Sequence, residues 1–511
     1  MFDLFGVVAL WEAWREEGSL WCRASLLMKG LMAMRRTALL VLLLLMAVVI
    51  PASPGWGQSS QPTAAPAAVE VRADFNHDGA DDLAIGAPSE TVGGLFAAGA
   101  AHVLYGSATG LTGTGSQVWT QDSPGVPDTA ERGDHFGDAL AAGDFDHDGF
   151  ADLAVGVDLE EVDGAEGAGG VNVLYGSAGG LTGTGSQFFP QVGGAVERSD
   201  LFGRALTSGD FNHDGFADLA AAAPEEDVGT LVDPGAVSVL QGSAGGLTTV
   251  GGRLFTQVAG VPETDDTFGF ALAAGDFNHN GVVDLAVGAP GEVVGSADHA
   301  GAVSVVQGSA GGLTTVGGRL LTQVGGAVEP FDLFGVAVAA GDFNGNGVAD
   351  LAVGANGERV GSVAGAGAVS VLYGSASGLS SVGGQLFTQV GGAPETNDLW
   401  GWPLAAGDFN GNGVADLAVG GPFEDVGSVA DAGAVSVLYG SAGGLTTTGG
   451  RLFTKDSPGI EGSVSERDQL RLSRSPWNFG GGPSGDQAAS SLVGVTARVA
   501  SKAARRAGRY R

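Results

Sequence analysis

Cysteine is nearly missing from this sequence, and so is positive charge. The single cysteine, Cys22, lies close to the N-terminus, so neither an intrachain disulfide nor a cysteine-ligated zinc holds the rest of the chain together. Lysine and arginine number 23 against 57 aspartates and glutamates, a formal charge of -34. Nucleic acid and anionic lipid repel such a polyanion, which excludes both as partners and favours cations or basic surfaces. The charge is unevenly spread: residues 59–465 hold 50 acids and 9 bases, whereas residues 467–511 alone hold 9 bases. Long apolar runs are scarce too. Residues 38–50 form one of about 13 residues, short of the roughly 20 that a membrane helix needs. Arg35 and Arg36 precede that run and small residues follow it, so residues 34–57 have the order of a secretory signal peptide and imply export to the cell surface or beyond, with no membrane span in the mature chain. Residues 1–33 lack that order and carry Glu12, Glu16 and Glu17; they read as an upstream extension, with translation starting at Met32 or Met34. Residues 58–68, QSSQPTAAPAA, read as a flexible linker.

What the chain has in excess is glycine, 92 residues, alongside a hydrophobic share of 44%. It is therefore rich in turns and still able to bury a core. The glycines recur at a fixed period. The dipeptide Asp-Phe stands at Asp74, Asp144, Asp210, Asp276, Asp342 and Asp408, with a first spacing of 70 and later spacings of 66. One unit, residues 333–390, divides into the apolar runs AVAAGDF, DLAVGA, AVSVLYG and QLFTQV, separated by Gly-rich turns. Short runs rich in Val, Leu and aromatics between Gly, Asn and Ser are strands, and no stretch keeps a helical period. Each unit is expected to be a four-stranded antiparallel meander. One such sheet cannot bury both faces, so the units must stack; four strands per unit favour stacking around an axis, an all-β β-propeller over residues 69–469.

Between its first two runs each unit has an acidic loop, DFDHDGFAD at Asp144, with oxygen-bearing residues at positions 1, 3, 5 and 9 and glycine at position 6. Calcium takes six to eight oxygen ligands, and carboxylates alternating on a sharply turned loop supply them, with a backbone carbonyl from position 7. Glycine permits the turn. The expected ligand sets, position 7 included, are Asp74, Asn76, Asp78, Ala80 and Asp82; Asp144, Asp146, Asp148, Phe150 and Asp152; Asp210, Asn212, Asp214, Phe216 and Asp218; Asp276, Asn278, Asn280, Val282 and Asp284; Asp342, Asn344, Asn346, Val348 and Asp350; Asp408, Asn410, Asn412, Val414 and Asp416. Position 12 of the second loop is Val155 where an EF-hand needs glutamate, and the flanks are strands. Six sites for Ca²⁺ result, strongest in the first three loops, where the carboxylates are more numerous. With an affinity of about 0.1 mM and about 1 mM calcium, each site contributes roughly 1.4 kcal/mol to folding. His77, His147, His213 and His279, at position 4, are expected to face solvent.

Each unit also opens on an aromatic-Gly pair, Phe136-Gly137, Phe202-Gly203, Phe268-Gly269, Phe334-Gly335 or Trp400-Gly401, and closes near a Gly-Ala-Pro-like triplet such as Gly86-Ala87-Pro88 or Gly288-Ala289-Pro290. This resembles the FG-GAP repeat of integrin α subunits and related bacterial proteins. The resemblance covers residues 69–466 and implies a propeller with calcium loops on one face and a protein ligand on the other. That family usually has seven blades. A seventh unit begins at Thr454, where TKDSPGIEGSVSERDQL follows the outline of TQDSPGVPDTAERGDHF at Thr120; beyond Gln469 the pattern stops, and residues 470–511 read as a basic, disordered or frameshifted tail. The expected function is a secreted or cell-surface scaffold for protein recognition or adhesion. A carbohydrate-binding propeller is the alternative, and a propeller hydrolase or lyase stands behind it. No nucleophile elbow, HExxH or P-loop is present, and the singular charges Glu166 and Arg204 form no recognisable set, so no catalytic residue is expected.

Overall fold

The computed structural model describes residues 73–258, 260–458 and 460. The readings made of the signal peptide, the linker and the basic tail fall outside these residues. Every regular element among them is a strand. The strands form six antiparallel sheets in sequence order, three strands in the first and four in each of the others, and the sheets are the blades of a propeller. In the first blade the segment where an innermost strand is expected lies before the described residues.

Blade 5 shows why this sequence folds this way. Its strands are Phe334–Gly341, Asp350–Ala355, Ala368–Tyr373 and Ser380–Phe387. The second and third are small and apolar, and both of their faces are covered by neighbouring blades; the run DLAVGA is buried at every position. A period of two is lost because there is no wet side. The fourth strand departs from expectation. It was placed at QLFTQV, yet it starts five residues earlier at Ser380, in a stretch whose two glycines suggest a turn. The pairing jumps from Val371↔Gln385 to Tyr373↔Ser380. Gly383 takes a φ of 81° inside this bulge, so the strand continues through a kink that only glycine accommodates easily. The same shift recurs in the other blades.

The core is a series of cores, one between each pair of blades. Phe136 packs with Phe75, Val103, Leu153 and Val155 from blades 1 and 2; Phe202, Phe268, Phe334 and Trp400 repeat the arrangement. All five aromatics are essentially inaccessible to solvent. The glycine after each aromatic sets how closely blades approach. Gly203 donates its N–H to Ala222 of its own blade (2.9 Å), and its carbonyl presses on Gly156 of the blade before. A Cβ on Gly156 would lie 2.1 Å from the Gly203 oxygen; the values at Gly86, Gly288 and Gly354 against the next blade's glycine are 2.0, 2.1 and 2.0 Å. The first glycine of the GAP triplet thus lets these blades stack this closely; blade 3 has Ala222 at this place and meets the next blade differently, a Cβ on Gly269 lying 2.9 Å from the Ala222 Cβ.

Polar ties cross the same junctions near the acidic-loop end. Tyr105 Oη accepts the Leu181 N–H of the next blade (2.9 Å), and Tyr175 and Tyr373 do the same for Leu247 and Leu445. In blades 3 and 4 glutamine replaces the tyrosine, and Arg253 and Arg319 donate instead to the carbonyls of Leu313 and Leu379. Tyr105, Tyr175 and Tyr373, each the last residue of its strand, therefore pack between blades.

Gly156→Ala should cost about 1–3 kcal/mol by overpacking, read as a lower midpoint of thermal or urea unfolding. Gly113→Ala, where the added carbon meets nothing within 4 Å, should leave that midpoint nearly unchanged.

Candidate metal centres

In blades 2 to 6 the acidic loop joins the first two strands, so it projects from the end of the blade opposite the FG pair; the loop at residues 74–82 precedes the first described strand of blade 1. The second loop is the clearest. Ligand oxygens of Asp144, Asp146 and Asp152 lie within 4.8 Å of one another. Two oxygens each about 2.4 Å from one calcium ion can be no farther apart than that. No lysine or arginine lies among these three acids in sequence, though His147 does, and backbone N–H groups shape the loop around them. Asp144 Oδ1 and Oδ2 accept from the N–H of Asp148 and Gly149 (both 3.0 Å), and Asp148 Oδ1 accepts from Phe150 (3.0 Å). The position-1 aspartate makes the same pair of bonds in every loop.

Position 9 is the buried anchor. Asp152 Oδ2 accepts from Phe145 and Oδ1 from Gly176, at 2.8 Å each; Asp82, Asp218, Asp284, Asp350 and Asp416 repeat both bonds. In the first three loops each oxygen has a second lone pair still available to a cation. Burial raises the Asp152 carboxyl to about 8 and the other five to about 7, with the neighbouring loop carboxylates pushing the same way and the backbone donors opposing.

The loops divide into two kinds at position 3. Asn76 Oδ1 and Asp146 Oδ1 accept the N–H of position 5 (2.9 and 3.2 Å), as does Asn212. In the last three loops Asn278, Asn344 and Asn410 instead turn their amide nitrogen onto the position-9 carboxylate, at 2.8–3.1 Å. An amide donor offsets part of that charge from within the chain. Position 5 is also asparagine there, leaving two carboxylates per loop. At position 7 the N–H groups of Ala80, Phe150, Phe216, Val282, Val348 and Val414 donate to the position-5 side chains. The position-4 histidines are exposed at φ of 55–59°; His77 and His147 meet the rings of Phe150 and Phe216 in the next loop at 5.7 and 5.4 Å.

A second acidic group was not foreseen. Arg204, read as having no recognisable set, pairs with Asp138 and with Asp158 (3.4 Å), while His135 Nδ1 lies 3.3 Å from Asp158. These acids have their own buried cation in Arg204, so the group is a closed ion-pair network and needs no metal. Glu166 pairs with Arg198 at 2.9 Å on the open surface, where such a bridge contributes little. The signal for Arg204 was its column: the residue after each FG pair is Asp138, Arg204, Phe270, Val336 and Trp402 in successive blades, a different side chain each time in an otherwise repeated unit. A cavity is lined by Arg204, Phe270, Val336, Trp402, Pro403 and Leu404, from blades 3 to 6.

The model of the FG-GAP repeat family matches six segments, residues 65–104, 136–174, 202–240, 268–306, 334–372 and 400–438. The chain is an FG-GAP repeat protein. It is similar to bovine phosphatidylinositol-glycan-specific phospholipase D, 36% identical over 188 residues, which are 36% of this chain and 22% of that protein. It is also similar to integrin alpha-5 of Xenopus laevis, 30% identical over 230 residues, 44% of this chain and 20% of that protein. This FG-GAP repeat chain thus spans about a fifth of the length of these curated relatives. A rhamnogalacturonan lyase structure overlays with a TM-score of 0.36 and 13% identity, over 68% of this chain and 58% of that one, too weak a likeness to bear on chemistry. No helix among the described residues is long and apolar enough to cross a membrane.

Carboxyls whose folded values lie above the unfolded value near 4 bind protons in the native state that the unfolded state has lost, so stability falls as pH rises through that interval. Metal-free protein should therefore have its highest unfolding midpoint near pH 4–5 and lose stability up to about pH 8, measured by thermal melts in chelator. A midpoint that climbs across this window would mean that these aspartates are already ionised and compensated.

Proposed function

We propose that this FG-GAP propeller is a secreted or cell-surface binding scaffold, that its six hairpin loops hold calcium, and that it recognises a protein on the opposite face. The observation that carries the reading is the convergence of Asp144, Asp146 and Asp152 within 4.8 Å, on a loop form repeated six times. The donors are oxygen only, which suits a hard cation, and their number and spread suit calcium better than the tighter octahedron of magnesium. Bound calcium supplies charge compensation: two carboxylates about 4 Å apart repel by about 4 kcal/mol at an effective dielectric of 20.

Recognition rather than catalysis is favoured by where the repeat diverges. A variable column beside the FG pairs gathers an arginine, a phenylalanine and a tryptophan around a shared cavity, a mixture of aromatic anchor and fixed charge of the kind found at protein interfaces. Export rests on the signal-like order of residues 34–57. The acidic surface fits a partner that is basic where it docks.

The full chain should unfold at a distinctly higher temperature in calcium than in magnesium, and lower again in chelator. Equal midpoints in all three would reduce the loops to ordinary turns. At limiting calcium, hydrogen exchange should show the loops at Asp74, Asp144 and Asp210 gaining protection before those at Asp276, Asp342 and Asp408, since affinity follows carboxylate count. Simultaneous protection of all six would remove the gradient.

A further inference from the structure

A second ring of acids lies at the FG end of the propeller, between blades. After the fourth strand of each of the first five blades stands a glutamine: Gln121, Gln191, Gln257, Gln323 and Gln389. Four of these are hydrogen-bonded through Nε2 to a glutamate of the next blade, Glu160, Glu226, Glu292 and Glu424; Gln323 lies near Glu358 without that bond. An aspartate joins each pair. Asp134, Asp200, Asp266, Asp332 and Asp398 each accept, through Oδ2, the N–H of a glutamate three residues earlier.

All five aspartates and all five glutamates are more than nine-tenths buried. Glu292 and Glu358 lie within hydrogen-bonding reach of Asp266 and Asp332. At every one of the five junctions the glutamine Oε1 is buried without a hydrogen-bond partner, and at the junction of blades 3 and 4 so is Asp266 Oδ1. One orphaned oxygen is an accident of side-chain placement; the same one at five equivalent places marks something the protein atoms do not supply. Glycine roofs the pocket: a Cβ on Gly194, Gly260, Gly326 or Gly392 would strike the glutamine amide at 2.4–2.7 Å. Around the junctions of blades 2/3, 3/4 and 5/6 the charged groups acting on the pair are all acidic. His135 stands near the first junction and Arg359 near the fourth. At the sixth equivalent position the chain replaces glutamine with its own cation, Lys455, which is also buried.

We propose that the blade junctions at Gln191/Asp200/Glu226, Gln257/Asp266/Glu292 and Gln389/Asp398/Glu424 are a second class of divalent-cation site, which takes calcium between two carboxylates and the glutamine oxygen. Two carboxylates match a double positive charge, and a monovalent ion would leave one buried charge uncompensated. The donors are again oxygen only, as calcium requires. Protons compete with a cation for carboxylate oxygens, so alkaline pH favours the cation. Such an ion would bridge consecutive blades, whereas each loop site is built within one blade, so the two classes stand or fall separately.

The test is anomalous X-ray scattering from crystals of the full chain grown at pH 8 with calcium. Peaks beside Gln257 Oε1, between Asp266 and Glu292, and at the two matching junctions are expected, in addition to those in the loops. Peaks in the loops alone, or density that refines as water at the junctions, would overturn the proposal and leave the loop sites intact. In solution, equilibrium dialysis should count more calcium ions per chain than the loops hold, and Asp266→Asn with Glu292→Gln should lose one. Gln257→Leu, which keeps both acids, serves if that double variant does not fold and should weaken the same site. An unchanged count in the variant that folds would also overturn it.

Discussion

Buried negative charge without basic partners is the constraint on which the rest of this structure depends. With 9 bases among residues 59–465, the chain cannot neutralise its own acids. The position-9 aspartates cannot move out to water, because each spends both oxygens on backbone N–H groups that hold the second strand to its loop and to the third strand. Removing the charge means removing the fold's own hydrogen bonds. The chain therefore needs protons or metal ions from solution, and its stability is tied to pH and to the available cation. A disulfide-stapled protein of similar size carries its cross-links with it; among the described residues this chain has no cysteine to make one.

The blades transmit that dependence because they stack so closely. Gly203 against Gly156, and its equivalents, bring backbones to a distance at which no side chain fits, and the aromatic beside that glycine fills the gap left between sheets. The loops are linked in series too. The N–H of Ala151 donates to the Asp74 carbonyl of the previous blade's loop (3.1 Å), and Ala217, Ala349 and Ala415 repeat the bond to Asp144, Asp276 and Asp342. A loop that relaxes loosens its neighbour, so a stack of near-independent units acquires coupling.

The sequence revealed much of this and concealed the rest for physical reasons. Aspartate, asparagine and glycine at fixed steps within nine residues are local, and six copies in register make them unmistakable; the same holds for Phe136-Gly137 and its repeats. The fourth strand was misplaced because Gly383 and Gly384 in SSVGGQLF look like a turn, and a bulge that keeps pairing through glycines has no signature distinct from a turn's. Gln257 and Glu292 are 35 residues apart in different blades, and Arg204 lies 66 and 46 residues from Asp138 and Asp158. Such pairs are made by the radial arrangement alone and have no local spacing to announce them.

Duplication offers one more handle. In a repeated chain the positions that stay the same are those the blade needs, as Asp152 is, its column being aspartate in all six blades. A position that changes in every blade is free of that demand. The column Asp138, Arg204, Phe270, Val336 and Trp402 is such a place, and its members do not decorate the surface at random: the first two form a buried ion pair, and the later ones line one cavity. Surface drift would scatter polar residues there, since an exposed tryptophan or phenylalanine brings no stability to the blade. A set in which charge is fixed by its own counter-ion and aromatics face a common space is preorganised for contact, and such sets bind with little loss of side-chain freedom. The column after the FG pair is therefore a place where the blades of this propeller have each been given a different side chain around one cavity.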